Sequence, residues 1–341
     1  MSESSCKYSD MLWNILIPNV CLLFCGCVLN CCMASCSAEN DDMDDYYVSY
    51  IDSQDNKFVN CELPAACDTL RILSLGNSFS MDMLSDLPLV ASSAGIASSR
   101  YSVYMVSESG CSLKEYASAL TNDVTVKNAG NDSKFELYYM GGARIESLEC
   151  SQQHRLSAIL SQPWDVIVLQ QCSASSSDFS TYNPYLTYLM LRIKTFCPNQ
   201  SVSFLWHQTW SYPSDSKKTP RGLWGYEQIC QAVVAMASEC GLKNVIPVGT
   251  AVQNFRVMGN LGYGYELTRD GVHLDLTVGR LLAAMTFFNT VFVPVLHGEL
   301  GRIDSEVICE EKNIDARCFE ACRLCVKNSG KYPLWITYAD L

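Results

Sequence analysis

Basic residues are scarce in this chain of 341 residues. Lysine and arginine together number 24, against 36 aspartates and glutamates, which gives a formal net charge of −12. Proteins that bind nucleic acids gain most of their affinity by neutralising phosphates with Lys and Arg, and no basic stripe is present in the sequence. The composition therefore predicts no nucleic-acid partner.

The fraction of charged residues, counting both signs, is low. The sequence also contains no visible internal repeat. Only 18% of the residues are charged, whereas 48% are hydrophobic. A disordered chain has the opposite balance, because it cannot bury enough apolar surface to offset the entropy of ordering. We therefore expect a folded protein, with enough apolar material for one large domain or two small ones.

The amino terminus differs in composition from the rest of the chain. Lys7 precedes an apolar segment, residues 11–33, which leads into small residues and then Cys36. This order resembles a bacterial lipoprotein signal, in which the cysteine is lipidated and becomes the first residue. We predict a signal segment over residues 1–36 with lipidation at Cys36, and hence a membrane contact through a lipid anchor.

Other interpretations of the amino terminus stay open. Residues 1–10 are not net positive, and Cys27 is a second possible lipid acceptor. A plain secretory signal, a transmembrane anchor and a true start at Met11 are the alternatives. The lipoprotein interpretation implies export to the periplasm, the outer membrane or the cell surface.

An acidic segment follows the apolar one. Residues 37–55 contain seven acidic side chains and no basic one, a composition that stays solvated. We interpret residues 37–67 as a tether, residues 68–296 as the folded domain and residues 297–341 as a helical extension packed on it.

Cysteine is abundant, with 19 residues, of which seven lie within the first 36 positions. Cys318, Cys322 and Cys325 have i, i+4, i+7 spacing, which places them on one helical face and favours core packing. A structural zinc site would need paired C-x-x-C units or nearby histidines, and no histidine lies in this segment. We predict no metal. Disulfides remain possible in an exported protein, although their pairing does not follow from sequence.

Short apolar strands alternate with helical patterns from residue 70 to about residue 295. This alternation is typical of a doubly wound α/β sheet. The predicted strands are residues 70–75, 101–106, 164–169, 201–206 and 244–248. We also predict a helix over residues 82–96, a hairpin formed by 135–140 and 143–145, and a helix over 152–160.

Polar residues follow several of these strands. They are Ser78, Gly110, Gln170, Gln171, His207 and, after the last strand, Asp270 and His273. In a parallel sheet these positions meet at one edge, where open α/β sheets bind ligands. Hydrolysis by a serine needs a base, a group that orients the base and donors for the oxyanion. This edge supplies all three.

Four sequence blocks carry a resemblance to a known superfamily. They are Leu75-Gly-Asn-Ser-Phe-Ser80, Gly110-Cys-Ser-Leu113, Trp164-Asp-Val166 with Leu169-Gln-Gln171, and Leu267-Thr-Arg-Asp-Gly-Val-His273. The segment His207-Gln-Thr-Trp210 adds to the same resemblance. In order and spacing they resemble the SGNH (GDSL-type) hydrolases, and most closely an uncharacterised bacterial, lipoprotein-like branch. The resemblance spans residues 70–292 and implies a flavodoxin-like three-layer α/β/α fold with a mostly parallel five-stranded sheet.

The resemblance also implies roles for individual residues. Ser78 would be the nucleophile, His273 the general base and Asp270 the residue that orients it. The backbone N–H groups of Ser78 and Gly110 would belong to the oxyanion hole.

Two positions depart from the superfamily pattern. Asn77 replaces the usual aspartate, which should be tolerated because that residue shapes the turn. The third block has glutamines where Gly-x-Asn is usual, so we expect the last oxyanion donor to be Gln171, with Gln170 as the alternative because successive strand residues face opposite ways.

The expected function is that of a serine esterase acting on acyl, most simply acetyl, esters of carbohydrates, without a cofactor. Asn77, His207 and Trp210 are candidates for substrate binding, although packing at a strand end explains His207 and Trp210 equally well. The alternatives are a lysophospholipase or short-chain lipase, and a surface glycan-binding lipoprotein that keeps the fold without catalysis. The oligomeric state stays open.

Overall fold

The structure is a computed structural model, which describes residues 63–258 and 266–337. The predicted signal segment, the Cys36 lipidation site and nearly all of the acidic tether lie outside these residues. Those predictions, and the export that they imply, therefore remain predictions.

A central sheet of eight strands organises the described residues, in the spatial order β5-β3-β4-β2-β1-β6-β7-β8. The strands are β1 (Leu70–Gly76), β2 (Tyr101–Ser107), β3 (Thr125–Asn128), β4 (Glu136–Gly142), β5 (Gln153–Arg155), β6 (Val166–Leu169), β7 (Ser203–His207) and β8 (Val245–Ile246). Five neighbouring strands, β2-β1-β6-β7-β8, are parallel throughout. Their order matches that of flavodoxin-like sheets, which confirms the predicted fold class.

Twelve α-helices surround the sheet in the described part of the chain. They are α1 (Ser78–Leu84), α2 (Leu87–Ser93), α3 (Leu113–Thr121), α4 (Glu146–Glu149), α5 (Leu156–Leu160), α6 (Tyr185–Phe196), α7 (Gly222–Glu239), α8 (Val248–Val257), α9 (Val278–Phe287), α10 (Val293–Leu296), α11 (Ser305–Lys312) and α12 (Ala316–Lys331). A π-helical stretch, Phe288–Phe292, joins α9 to α10.

The sheet has eight strands where five were predicted, because three strands extend it beyond β2. β4 pairs antiparallel with β2, β3 parallel with β4, and β5 antiparallel with β3. The predicted hairpin at 135–145 is wrong, since most of it is the single strand β4. An added Cβ at Gly142 would lie 2.1 Å from the carbonyl oxygen of Tyr101. Gly142 therefore allows β4 to approach β2 closely, and it does not form the turn of a hairpin.

Two predicted helices are also placed differently. The helix expected over residues 82–96 begins at Ser78 and is split into α1 and α2, with Pro88 in the first turn of α2. Proline is tolerated there because its missing N–H would have no partner within the helix. The helix expected over 152–160 begins as strand β5 and becomes helical only at Leu156.

Apolar side chains of the sheet point alternately to two separate cores, as the two-residue period of a strand requires. In β1, Ile72 belongs to the core on one face and Leu73 to the core on the other. The first core contains residues of α8, α9 and α12, and the second contains residues of α3, α5, α6 and α7. The result is the three-layer arrangement that the resemblance implies.

The segment Val278–Leu296 is long and apolar enough to cross a membrane, but 78% of its most apolar window is buried inside the fold. This burial is typical of a core helix of the fold, which passes the same test of length and apolar composition. Cys318, Cys322 and Cys325 of α12 are buried in the same layer. Within the described residues, no group of three His, Cys, Asp or Glu side chains is arranged to hold a metal ion.

Candidate active site

Ser78 lies where β1 ends and α1 begins. Asn77 caps the helix, because its Oδ1 accepts a hydrogen bond from the Phe79 N–H at 3.0 Å. The turn into the helix is tight: an added Cβ at Gly76 would lie 2.1 Å from the Oγ of Ser80. Asn77 is buried rather than available to a substrate, so the substrate-binding role predicted for it is not supported. It holds the turn that presents the half-buried Ser78.

A short loop presents the second half of the site. Thr268 and Leu274 form an isolated antiparallel bridge, and the tip between them is closed by Asp270. The Oδ1 of Asp270 accepts hydrogen bonds from the N–H groups of Val272, at 3.0 Å, and His273, at 2.7 Å. Gly271 has a φ of +74°, which favours glycine at this turn. The aspartate therefore folds the loop that carries the histidine.

The structure brings Ser78, His273 and Asp270 together in one chain of hydrogen bonds. His273 Nε2 lies 2.9 Å from Ser78 Oγ, and His273 Nδ1 lies 2.6 Å from Asp270 Oδ2. Because a carboxylate only accepts hydrogen bonds, Nδ1 carries the proton and Nε2 is free to accept the serine proton.

Asp270 is held in its ionised form. Partial burial raises the pKa of its carboxyl group, but hydrogen bonds from the His273 ring and from the N–H groups of His273 and Val272 outweigh that effect and lower the pKa to about 2. A charged aspartate beside Nδ1 stabilises the imidazolium that forms when His273 takes a proton.

Gly110 lies on a loop that is tied to the nucleophile turn. The Asn77 side-chain amide donates to the carbonyl oxygen of Cys111 at 3.1 Å. Gly110 itself is exposed, has a φ of +65°, and has open space where a Cβ would project. Its conformation is one that side-chain-bearing residues rarely adopt.

The geometry does not support Gln171 as an oxyanion donor. Its Nε2 donates to both the carbonyl oxygen and the Oγ1 of Thr181, each at 3.0 Å. Its Oε1 accepts from the N–H groups of Leu113 and Cys172. All of its hydrogen-bonding capacity thus holds neighbouring loops together, which favours the alternative, Gln170, for the predicted donor role.

Gln170, the alternative, lies in a buried polar network with Ser80 and His207. Its Oε1 accepts from Ser80 Oγ at 2.5 Å and from His207 Nδ1 at 2.9 Å. Its Nε2 has no hydrogen-bond partner among the described residues. A buried amide nitrogen without a partner costs free energy. Of the two glutamines, Gln170 is therefore the one whose amide N–H groups are free to bind another acceptor.

His207 does not line a substrate pocket, contrary to the prediction. It is fully buried, and this burial lowers the pKa of the imidazole to about 3. The ring is neutral at physiological pH, and its Nδ1–H donates to Gln170. His207 therefore holds the side chain of Gln170 in place through this hydrogen bond.

Trp210 is also buried, so the predicted substrate contact is not supported either. Its indole Nε1 donates to the carbonyl oxygen of Val272 at 2.9 Å. Its ring meets that of Phe79 edge-on, with centroids 4.0 Å apart. Trp210 thus packs between the nucleophile helix and the histidine loop.

Asp82 was not among the site residues predicted from sequence, yet it contacts the loop that carries His273. Asp82 has no exposed side-chain surface. Its Oδ1 accepts from Arg269 Nη1 at 3.0 Å and from Arg280 Nε at 2.9 Å, and its Oδ2 accepts from the Leu274 N–H at 2.9 Å. The only signal in the sequence was its position four residues after Ser78, on the same helical face.

The site lies at the surface rather than in a deep cavity. The side chains of Asp270 and His273 are 47% and 28% exposed. Two surface depressions, of about 930 and 430 Å³, lie elsewhere. The first is lined by residues of α2, of β4 and of the segment between residues 95 and 101, and the second by residues of α6 and of segments 200–204 and 240–242. Neither lining includes Ser78, Asp270 or His273.

The fold and this site define a flavodoxin-like α/β protein with a serine, histidine and aspartate linked at the carboxyl edge of its sheet. The family described as "Domain of unknown function (DUF4886)" matches residues 71–306. The chain belongs to that family. No curated protein matches it.

One solved structure agrees with the family assignment, and two more distant ones are similar to part or most of the chain. A DUF4886 family protein from Bacteroides uniformis is 27% identical, with a TM-score of 0.63, over 79% of this chain and 98% of that one. A candidate SGNH hydrolase from Slackia heliotrinireducens is 19% identical, with a TM-score of 0.42, over 65% and 98% of the two chains. A candidate acylhydrolase from Bacteroides fragilis is 10% identical, with a TM-score of 0.33, over 84% and 99%. At such low TM-scores, the last two similarities carry no information about activity.

Proposed function

We propose that this protein is a serine esterase that uses Ser78, His273 and Asp270. The observation that carries the proposal is the continuous chain of hydrogen bonds from Ser78 Oγ through both ring nitrogens of His273 to Asp270. A serine hydroxyl is a weak nucleophile, and such an arrangement is the general means of activating it.

The proposed reaction has two halves. Ser78 Oγ attacks the ester carbonyl carbon while His273 Nε2 takes the hydroxyl proton, and the tetrahedral intermediate then expels the alcohol, which receives that proton. In the second half, His273 removes a proton from water, the resulting hydroxide attacks the acyl-serine, and Ser78 leaves with the proton. One ester and one water become one acid and one alcohol, and no cofactor takes part.

The oxyanion would be bound by the backbone N–H groups of Ser78 and Gly110 and by the side chain of Gln170. Ser78 is the first residue of α1, and the first N–H groups of a helix have no acceptor within it. Gln170 Nε2 has no partner among the described residues, whereas the amide nitrogen of Gln171 is occupied by Thr181. We therefore propose Gln170 as the third donor. Its amide nitrogen is buried in the substrate-free fold, so this role requires the Gln170 side chain to turn toward Ser78 when a substrate binds.

As substrate we propose an acyl, most simply acetyl, ester of a carbohydrate. The resemblance to SGNH hydrolases and the predicted export of the chain favour this class. The exposure of Asp270 and His273 also fits a large alcohol component that stays outside the protein. Neither of the two depressions described above is lined by Ser78, so neither would hold the acyl chain of an ester bound there.

The test is labelling of the full chain, in mild detergent, with a fluorophosphonate probe that phosphonylates activated serines and releases fluoride. Intact-mass measurement should find one adduct on the parent protein and none on Ser78→Ala. Hydrolysis of p-nitrophenyl acetate should be lost in the same variant. If the parent carries no adduct, the serine-hydrolase proposal fails and the glycan-binding alternative takes its place.

A further inference from the structure

Two separate segments must be held together for Ser78 to meet its base. Ser78 lies at the start of α1, whereas His273 lies 195 positions later, on a loop before α9. The loop is half exposed at its tip. Some contact other than the Ser78–His273 hydrogen bond has to set the distance between the two segments, because a single hydrogen bond contributes only modestly in water.

The packing of Trp210 against Phe79 and its hydrogen bond to Val272 provide one such contact, and Asp82 provides a direct one. It lies on α1 one helical turn beyond Ser78, so both side chains project from the same face. Its three hydrogen bonds come from Arg269, Leu274 and Arg280. Arg269 and Leu274 are the residues that immediately flank the Asp270–His273 tip. The carboxylate of Asp82, on α1, therefore binds both ends of the loop that carries His273.

Further hydrogen bonds within the loop link its two ends to each other. The Arg269 N–H donates to the carbonyl oxygen of His273 at 2.9 Å, and the Arg269 guanidinium donates to the carbonyl oxygen of Leu274 as well as to Asp82. Arg280, from α9, supplies the second charged donor to Asp82. The position of His273 is thus coupled to Asp82 through main-chain as well as side-chain contacts.

A purely stabilising role is a poor explanation of this arrangement. Burying a carboxylate is costly, and well-packed apolar side chains often stabilise a fold at least as well as a buried ion pair does. The partners of Asp82 are moreover not scattered through the core. Two of the three bracket the base, which is the expected arrangement if the function is to position it.

We propose that Asp82 is a positioning residue, which sets the distance between Ser78 and His273 by holding both ends of the 269–274 loop against α1. The inference rests on the proposed function. Asp82 is fully buried, and its hydrogen bonds go to Arg269, Leu274 and Arg280, so its effect on the reaction would pass through the loop that carries His273.

The test is a double-mutant cycle on the rate of fluorophosphonate labelling, measured with the full chain in mild detergent. Asp82→Asn should slow labelling about tenfold to hundredfold, because small misplacements of a catalytic group cost rate on that scale. With His273→Ala, supplied with free imidazole as a diffusible base, the same substitution should change the rate by less than about twofold, because no tethered base remains to be positioned.

Steady-state kinetics with p-nitrophenyl acetate provide a second readout. In Asp82→Asn, kcat should fall while KM stays within about threefold of the parent value, because the side chain makes no substrate contact. Asp165→Asn is the matched control. Asp165 is a partly buried carboxylate at the opposite end of β6, where it accepts from the Arg71 N–H, and its loss should leave the labelling rate unchanged.

If Asp82→Asn fails to fold, Arg269→Gln replaces it in the same test. This variant removes one of the two contacts between Asp82 and the loop, while Arg280 and the Leu274 N–H still bind the buried carboxylate. Equal slowing with and without His273, or no slowing of the parent, would overturn the positioning role. The two proposals fail differently. An unlabelled parent would overturn the esterase itself and this inference with it, whereas a labelled parent that is indifferent to Asp82 would overturn the inference alone.

Discussion

Asp270 uses its two carboxylate oxygens for different purposes. Oδ1 closes the loop by accepting backbone N–H groups, while Oδ2 receives the Nδ1–H of His273. The spacing of three residues between Asp270 and His273 permits both at once. The carboxylate that orients the base is therefore also the one that folds the loop around it.

The two glutamines after β6 should respond differently to truncation. Gln170→Ala should lower kcat by about a hundredfold to a thousandfold if Gln170 supplies an oxyanion donor. Gln171→Ala should lower it much less, because the Gln171 amide holds Thr181 rather than facing a substrate. Steady-state kinetics on both variants decide between them, with thermal melting as the control for folding. The reverse order of effects would return the donor role to Gln171.

The spatial proximity of residues could be predicted from sequence where a motif carried local geometry, and could not be predicted where the partner was remote. Ser78, His273 and Asp270 could be selected because strand, turn and loop signals surround them, and the structure joins them by hydrogen bonds. The choice between Gln170 and Gln171 depended on Thr181, in a loop whose course the sequence does not specify. The partners of Asp82 lie nearly 200 positions away, as the separations of 187 and 192 residues show.

At the scale of elements, the turn between β1 and α1 depends on the absence of a side chain at Gly76. Gly76→Ala would place a Cβ 2.1 Å from Ser80 Oγ and 2.6 Å from Ser80 Cβ. We expect it to lower the free energy of unfolding by about 1 to 3 kcal/mol, as overpacking does, and to reduce esterase activity by shifting Ser78.

A matched control for that change is Gly301→Ala. An added Cβ there meets nothing within 4 Å, so the free energy of unfolding should change by less than about 0.5 kcal/mol. Urea denaturation of both variants tests the comparison. Equal stability of the two would show that the turn after β1 relaxes without cost.

The elements of the parallel sheet could be predicted from sequence, and those beyond β2 could not. β1, β2, β6 and β7 are buried apolar runs, which are a strong strand signal. β5 has three residues, none of them fully buried, so its strand pairing comes from tertiary context alone. The helix predicted in its place followed a local pattern that the neighbouring strand β3 overrides.

At the scale of the whole molecule, the buried His207 should make stability depend on pH. Its pKa falls from 6.5 to about 3 on burial, so the unfolded chain takes up a proton between these values and the folded chain does not. The stability contributed by the neutral ring is complete above pH 6.5 and is lost progressively as the pH falls toward 3. At pH 5 the loss should be about 2 kcal/mol.

His207→Asn should weaken this dependence, because asparagine can still donate to Gln170 and does not titrate. Denaturation of the parent and the variant at pH 7 and pH 5 provides the comparison. If both lose the same stability on acidification, other groups account for the effect and His207 does not.

The 195 positions that separate Ser78 from His273 have a consequence for synthesis. Under the proposed function, the serine leaves the ribosome long before its base exists, and a chain cut anywhere between the two carries an inert hydroxyl. Reaction of Ser78 with an activity probe therefore reports that the chain has been made through at least His273 and has closed on itself. The same reaction that assays the enzyme can therefore count correctly folded molecules.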